Sequence, residues 1–111
     1  MRRDHRRLRT LGPVLAALIL AMPARAPAAG DAAAGQRLAE QWCRSCHLIA
    51  PGEGRTSDGA PAFQAVAEDP ATTADGLRAW LFSPHPPMPN FDLSQREIDD
   101  LTAYILSLAP Q

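Results

Sequence analysis

Two cysteines separated by two residues and followed at once by a histidine, Cys43-Arg44-Ser45-Cys46-His47, constrain this chain of 111 residues more than any other feature. They are its only cysteines. Positions three and four apart lie on one face of a helix. On helical backbone Cys43, Cys46 and His47 would therefore project toward a single planar object, while Arg44 and Ser45 point away and need no special chemistry.

The spacing is the haem-attachment pattern C-x-x-C-H. Two thiols can add to the two vinyl groups of haem while the imidazole reaches the iron from the same side. Three other chemistries compete. A thioredoxin-like pair needs a βαβ context, and no alternating strand runs are visible. A structural zinc site usually takes four Cys or His ligands. Beyond residue 28 the chain supplies Cys43, Cys46, His47 and His85, a number just sufficient, so count alone leaves zinc standing. A simple disulfide ignores His47 and leaves a helical chain with little core. Export, the adjacent His47 and a downstream methionine favour covalent haem.

Export is read from the first segment. Five arginines between Met1 and Thr10 face one acid, Asp4. A short apolar run from Val14 to Met22 follows, then Ala26-Pro27-Ala28, which fits an A-x-A cleavage site. Basic, apolar and small segments in that order describe a secretory signal peptide over residues 1–28. The apolar run falls short of the roughly 20 residues of a spanning helix, so no stable membrane insertion is expected after cleavage. Cysteines must be reduced and accessible when haem is attached, so the chain should cross the membrane unfolded. The Arg2-Arg3 and Arg6-Arg7 pairs are accordingly read as an ordinary basic region. The expected location is the periplasm.

Removing residues 1–28 changes the charge. The chain has no lysine, and residues 29–111 carry five arginines against eleven acids, a formal charge of −6. Such a surface argues against nucleic acid, which attracts Lys and Arg, and fits partners met through complementary charge. A domain of this size buries little apolar surface and usually needs a staple.

The remaining pattern is helical. Asp31 can cap a first helix in which Leu38, Ala39 and Trp42 lead into Cys43. A glycine-rich loop spans about Pro51 to Pro61. Ala62 to Glu68 can form a short helix with Phe63 and Val66 inward. Thr72 and Asp75 resemble a capping box, followed by Leu77, Trp80 and Leu81 at helical spacing. Ser83-Pro84 ends that helix, and Pro84 to Pro89 reads as a rigid, extended loop. Ser94 and Glu97 form a capping box for the last helix, with Leu93 and Ile98 as the staple. Ile98, Leu101, Ile105 and Leu108 make its apolar stripe, and Pro110 closes it.

Met88 is the one methionine beyond residue 28. Methionine usually fills cores, but this one lies between prolines and off the apolar face of any helix. A thioether ligand would raise the reduction potential of the iron, and Met88 is the expected second axial ligand. His85 competes from three residues away and would give a bis-histidine iron of lower potential. Its alternative is an exposed or propionate-bonded side chain, which is the reading favoured here.

In order along the chain these features resemble the bacterial class I c-type cytochromes. The similarity runs from Gly35 through Cys43–His47, Gly59-Ala60-Pro61 and Met88-Pro89 to Leu93–Ile98 and Leu101–Ile105. It implies an all-α fold of about three to four helices around one covalent haem c, with the first and last helices crossing at Gly35 and Tyr104. It implies that the Pro61 carbonyl accepts a hydrogen bond from His47, an arrangement that fixes ring orientation. It places Trp80 in the haem pocket near a propionate. The absence of lysine departs from mitochondrial relatives, whose lysine-ringed docking surface is not carried over.

The function expected is a one-electron Fe(II)/Fe(III) carrier, not an enzyme, over a single domain of residues 29–111. Donor and acceptor would be redox proteins, and the carrier a monomer. The alternative is a haem subunit of a larger periplasmic dehydrogenase or oxidase. An open-iron enzyme or gas sensor would require Met88 to stay off the metal.

Overall fold

The computed structural model describes residues 30–54, 59–83 and 85–111. The expected signal peptide, Arg55, Asp58 and Pro84 lie outside them. Four helices follow in order, α1 (Ala32–Trp42), α2 (Phe63–Glu68), α3 (Ala74–Phe82) and α4 (Gln95–Ser107), with no strand among the described residues. The all-α expectation holds.

Every helix packs on α4. Its capping box is complete: Glu97 N–H donates to Ser94 Oγ, and the Glu97 carboxylate accepts from the Ser94 amide at 2.8 Å. That satisfies otherwise orphaned donors of the first turn. Ile98, Leu101, Tyr104 and Ile105 are buried on α4, and Leu108 is half-buried just beyond it. The core joins Leu101, Tyr104 and Ile105 to Ala39, Cys43, Ile49, Phe63 and Leu77.

The crossing of α1 on α4 depends on glycine. A Cβ at Gly35 would collide with the Asp100 carbonyl and stand 2.8 Å from Tyr104 Cβ. Asp31 caps α1 by accepting from the Ala33 amide at 2.8 Å and the Ala34 amide at 3.2 Å. Its own amide donates to the buried carboxylate of Asp100 at 2.7 Å. One aspartate thus starts the helix while another pins that start to α4. On the far side, Arg78 of α3 donates to Asp99 of α4 at 2.7 Å and to Asp75 at 3.1 Å.

Two local expectations change. The cap of α3 is Thr73, whose Oγ1 accepts from Gly76 N–H at 3.0 Å; Thr72 lies one residue too early to reach the orphan donor. Trp80 is 60 % exposed, while Leu77 and Arg78 carry α3 onto α4. The segment before α4 is not extended: Met88 N–H donates to the His85 carbonyl at 3.2 Å, closing a turn.

Candidate functional site

α1 delivers the motif but does not contain it. The helix stops at Trp42, and Cys43 is its C-cap. The amides of Cys46 and His47 both donate to the Cys43 carbonyl, at 3.1 and 2.9 Å. The three- and four-residue spacing is thus realised in one isolated turn rather than on a regular helix face. No disulfide joins Cys43 to Cys46. Burial, reinforced by the charge of Cys46, pushes the Cys43 thiol up to about 11. Once the domain has closed around it, that thiol is protonated and a poor nucleophile.

His47 is held from two directions. Its Nδ1 lies 2.7 Å from the Pro61 carbonyl oxygen. A carbonyl only accepts, so Nδ1 carries the proton and Nε2 the lone pair. Its ring packs on Phe63 at 5.2 Å between centroids, and Phe63 meets Tyr104 edge-on at 6.5 Å. Tyr104 in turn donates its buried hydroxyl to the Ile49 carbonyl at 2.7 Å. A chain of contacts therefore runs from the last helix to the imidazole.

The backbone after His47 is clasped as well. The Phe63 amide donates to the Leu48 carbonyl at 2.9 Å. The Glu53 carboxylate accepts from the amides of Ile49 and Ala50, at 2.8 and 3.2 Å, and pairs with Arg44 at 3.7 Å. The role of Glu53 is not legible in the sequence, because an acid in a glycine-rich loop has no spacing signature. Phe63 shows only as an inward helix position.

Met88 lies on the other side of the sequence, in the turn between α3 and α4. It is half-buried, and its Sδ stands 2.8 Å from His85 Nε2. His85 Nδ1 lies 2.8 Å from the Ser83 carbonyl, and the ring stacks on Trp80 with centroids 4.5 Å apart. Trp80 thus meets the Met88 turn through His85. Trp42, at the end of α1, packs on Phe91 at 5.8 Å. His85 is therefore neither a free surface group nor remote from Met88.

Comparison with known proteins agrees with this architecture. Residues 30–105 match the family described as cytochrome c oxidase, cbb3-type, subunit III. The chain is 42% identical over 106 residues to cytochrome c-552 of Bradyrhizobium diazoefficiens, covering 96% of this chain and 99% of that one. No solved structure matches. The chain belongs to the class I c-type cytochromes, and its cofactor is a covalently bound haem c. It is an electron-transfer protein.

The residues present fit that group. Cys43 and Cys46 are unbridged thiols on one turn. His47 is fixed by the Pro61 carbonyl in the tautomer whose Nε2 can bind a metal. Zinc would draw Cys43, Cys46, His47 and His85 together, whereas the nitrogen of His85 faces the sulfur of Met88. Among the described residues no group of three or more His, Cys, Asp or Glu side chains is arranged to hold a metal ion.

Proposed function

We propose that residues 29–111 form a periplasmic one-electron carrier in which Cys43 and Cys46 bear the haem, and His47 and Met88 supply the axial iron ligands. When bound, haem c supplies the Fe(II)/Fe(III) couple. The chain's own residues set its limits. The Pro61 carbonyl and Phe63 hold the His47 ring in one orientation, so the ligand has little freedom to reorganise. Cys43 belongs to an apolar cluster with Ala39, Ile49, Leu101 and Ile105; an apolar environment about the haem would disfavour the more highly charged state and raise the potential. A thioether from Met88 acts in the same direction.

The observation that carries this reading is the His47 Nδ1–Pro61 contact of 2.7 Å, because it prepares Nε2 for a metal. Filling both axial positions leaves no place for a substrate, which favours transfer over catalysis. Trp80 is assigned to the rim of the site through its stack on His85. The N-terminal segment, residues 1–28, is proposed to be removed on export. No helix among the described residues is long and apolar enough to cross a membrane.

Optical spectroscopy of the holoprotein tests the ligand set. The pyridine adduct should show two thioether links, and the oxidised form should show the weak near-infrared band of thioether ligation. Potentiometry giving a strongly negative value, together with absence of that band, would remove Met88 from the iron.

A second reading is favoured by the family description, which names a subunit of an oxidase. The same residues would serve in a complex. Co-purification of a catalytic partner with the native protein would establish it; a monodisperse monomer that exchanges electrons by collision would support the free carrier.

A further inference from the structure

The two histidines of the domain are prepared in the same way, although only one belongs to the attachment motif. His47 Nδ1 faces the Pro61 carbonyl at 2.7 Å, and His85 Nδ1 faces the Ser83 carbonyl at 2.8 Å. Each carbonyl can only accept, so each Nδ1 is the donor in its contact. In His47 the other nitrogen, Nε2, is the iron-binding one. In His85 it lies 2.8 Å from Met88 Sδ, so two donors capable of binding iron converge on one point. The Trp80 ring stacked on His85 at 4.5 Å limits its swing, and the Met88 N–H bond to the His85 carbonyl ties both residues into one turn.

We infer that His85 is a reserve axial ligand, taking the sixth position through Nε2 whenever the Met88 thioether is lost from it. The inference rests on Met88 being the sixth ligand in the intact protein. The exchange breaks one iron–sulfur bond and forms one iron–nitrogen bond; no electron is transferred, and a proton on His85 Nε2 leaves to solvent as the nitrogen binds. Composition narrows the field of substitutes. The chain has no lysine, and His47 and His85 are the only histidines beyond residue 28. Loss of the thioether would therefore convert a high-potential His/Met site into a lower-potential bis-histidine one while keeping it closed to small ligands. A thioether is the softer ligand and favours reduced iron, whereas imidazole shifts the balance toward the oxidised form.

The experiment compares matured holoproteins carrying Met88→Ala, His85→Ala and both substitutions, in the full chain. Met88→Ala should lose the near-infrared band, stay low-spin by optical and electron paramagnetic resonance spectra, drop in potential and bind carbon monoxide slowly when reduced. The double variant should become high-spin and bind carbon monoxide quickly, and added imidazole should restore its low-spin spectrum. His85→Ala alone should retain the near-infrared band. A high-spin Met88→Ala protein that binds carbon monoxide as fast as the double variant would overturn the reserve role. Should Met88→Ala fail to mature, Met88→Leu, which keeps the volume, gives the same discrimination. An intact protein lacking the near-infrared band would instead overturn Met88 ligation itself, so the two failures are distinguishable.

Discussion

The two sides of the site are built by different kinds of contact. The turn carrying His47 is stitched to distant parts of the chain: to Pro61 through the imidazole, to Phe63 through the Leu48 carbonyl, and to Tyr104 through the Ile49 carbonyl. The turn carrying Met88 is held by hydrogen bonds within its own neighbourhood, from His85 to Ser83, from Met88 to His85 and from Asn90 to Asp92. Its longer contacts are ring stackings, Trp80 on His85 and Trp42 on Phe91. A segment held by local bonds opens at lower free energy than one anchored in the core. On the proposed ligand set, His47 would belong to the fold, while Met88 could leave and return without unfolding it.

Six substitutions bear on that contrast. His47→Ala should have the largest effect, because it deletes the ligand on the core side; holoprotein with a low-spin spectrum should not accumulate under export with the attachment machinery. Survival of a normal spectrum would end the assignment of His47. Gly35→Ala comes next. Overpacking typically costs roughly 1–3 kcal/mol, and the obstacle here is the Asp100 backbone. A gain of about 1 kcal/mol in helix propensity does not offset a collision of that kind. The melting temperature should fall by several degrees.

Tyr104→Phe should cost about 1–3 kcal/mol, since the Ile49 carbonyl would lose its buried donor. Denaturant unfolding measures it, and a smaller change in His47 ring orientation should follow through Phe63. Ser94→Ala should cost about 1 kcal/mol by removing the N-cap of α4. The partner residue carries a pH signature. Bonds from the Ser94 hydroxyl and amide hold the Glu97 carboxylate below its ordinary value. A lowered folded pKa stabilises the fold above the unfolded value, and that contribution is lost as pH falls through the folded one. The difference between Glu97→Gln and wild type should therefore shrink on acidification; a difference that grows would contradict the cap. Trp80→Ala should be smallest in stability, about 0.5 kcal/mol for so exposed a side chain. It should nonetheless speed exchange of the Met88 ligand, read as faster carbon monoxide binding. An unchanged rate would mean that the stack on His85 does not restrain the turn.

Burial of Cys43 bears on assembly as well. Its side chain is buried once the helices pack, and that burial raises the thiol, so attachment should be faster on the unfolded chain.

Much of this was legible in residue order. The Ser94–Glu97 box, the Asp31 cap and the stripe through Ile98, Leu101 and Ile105 are local patterns whose physics acts within one or two turns, and the structure carries them all. The attachment motif needs only a single turn, so its spacing sufficed to bring Cys43, Cys46 and His47 together even though α1 ends before them. The shift of the α3 cap from Thr72 to Thr73 shows where such patterns blur: adjacent threonines offer the same hydroxyl, and packing of Leu77 on the core selects the register. Other features lie beyond such patterns. Tyr104 reaches Ile49 across 55 positions because α4 packs against the segment after the motif, and Glu53 clasps Ile49 and Ala50 from three and four residues away in a loop with no spacing signature. The placement of His85 against Met88 is likewise a matter of a turn closing where prolines suggested extension. The sequence by itself determined the helices, the caps of the first and last, and the covalent attachment, because those rest on neighbours within a few residues. Tertiary structure alone decided what steadies His47, because only packing brings the Pro61 carbonyl and the Phe63 ring within its reach.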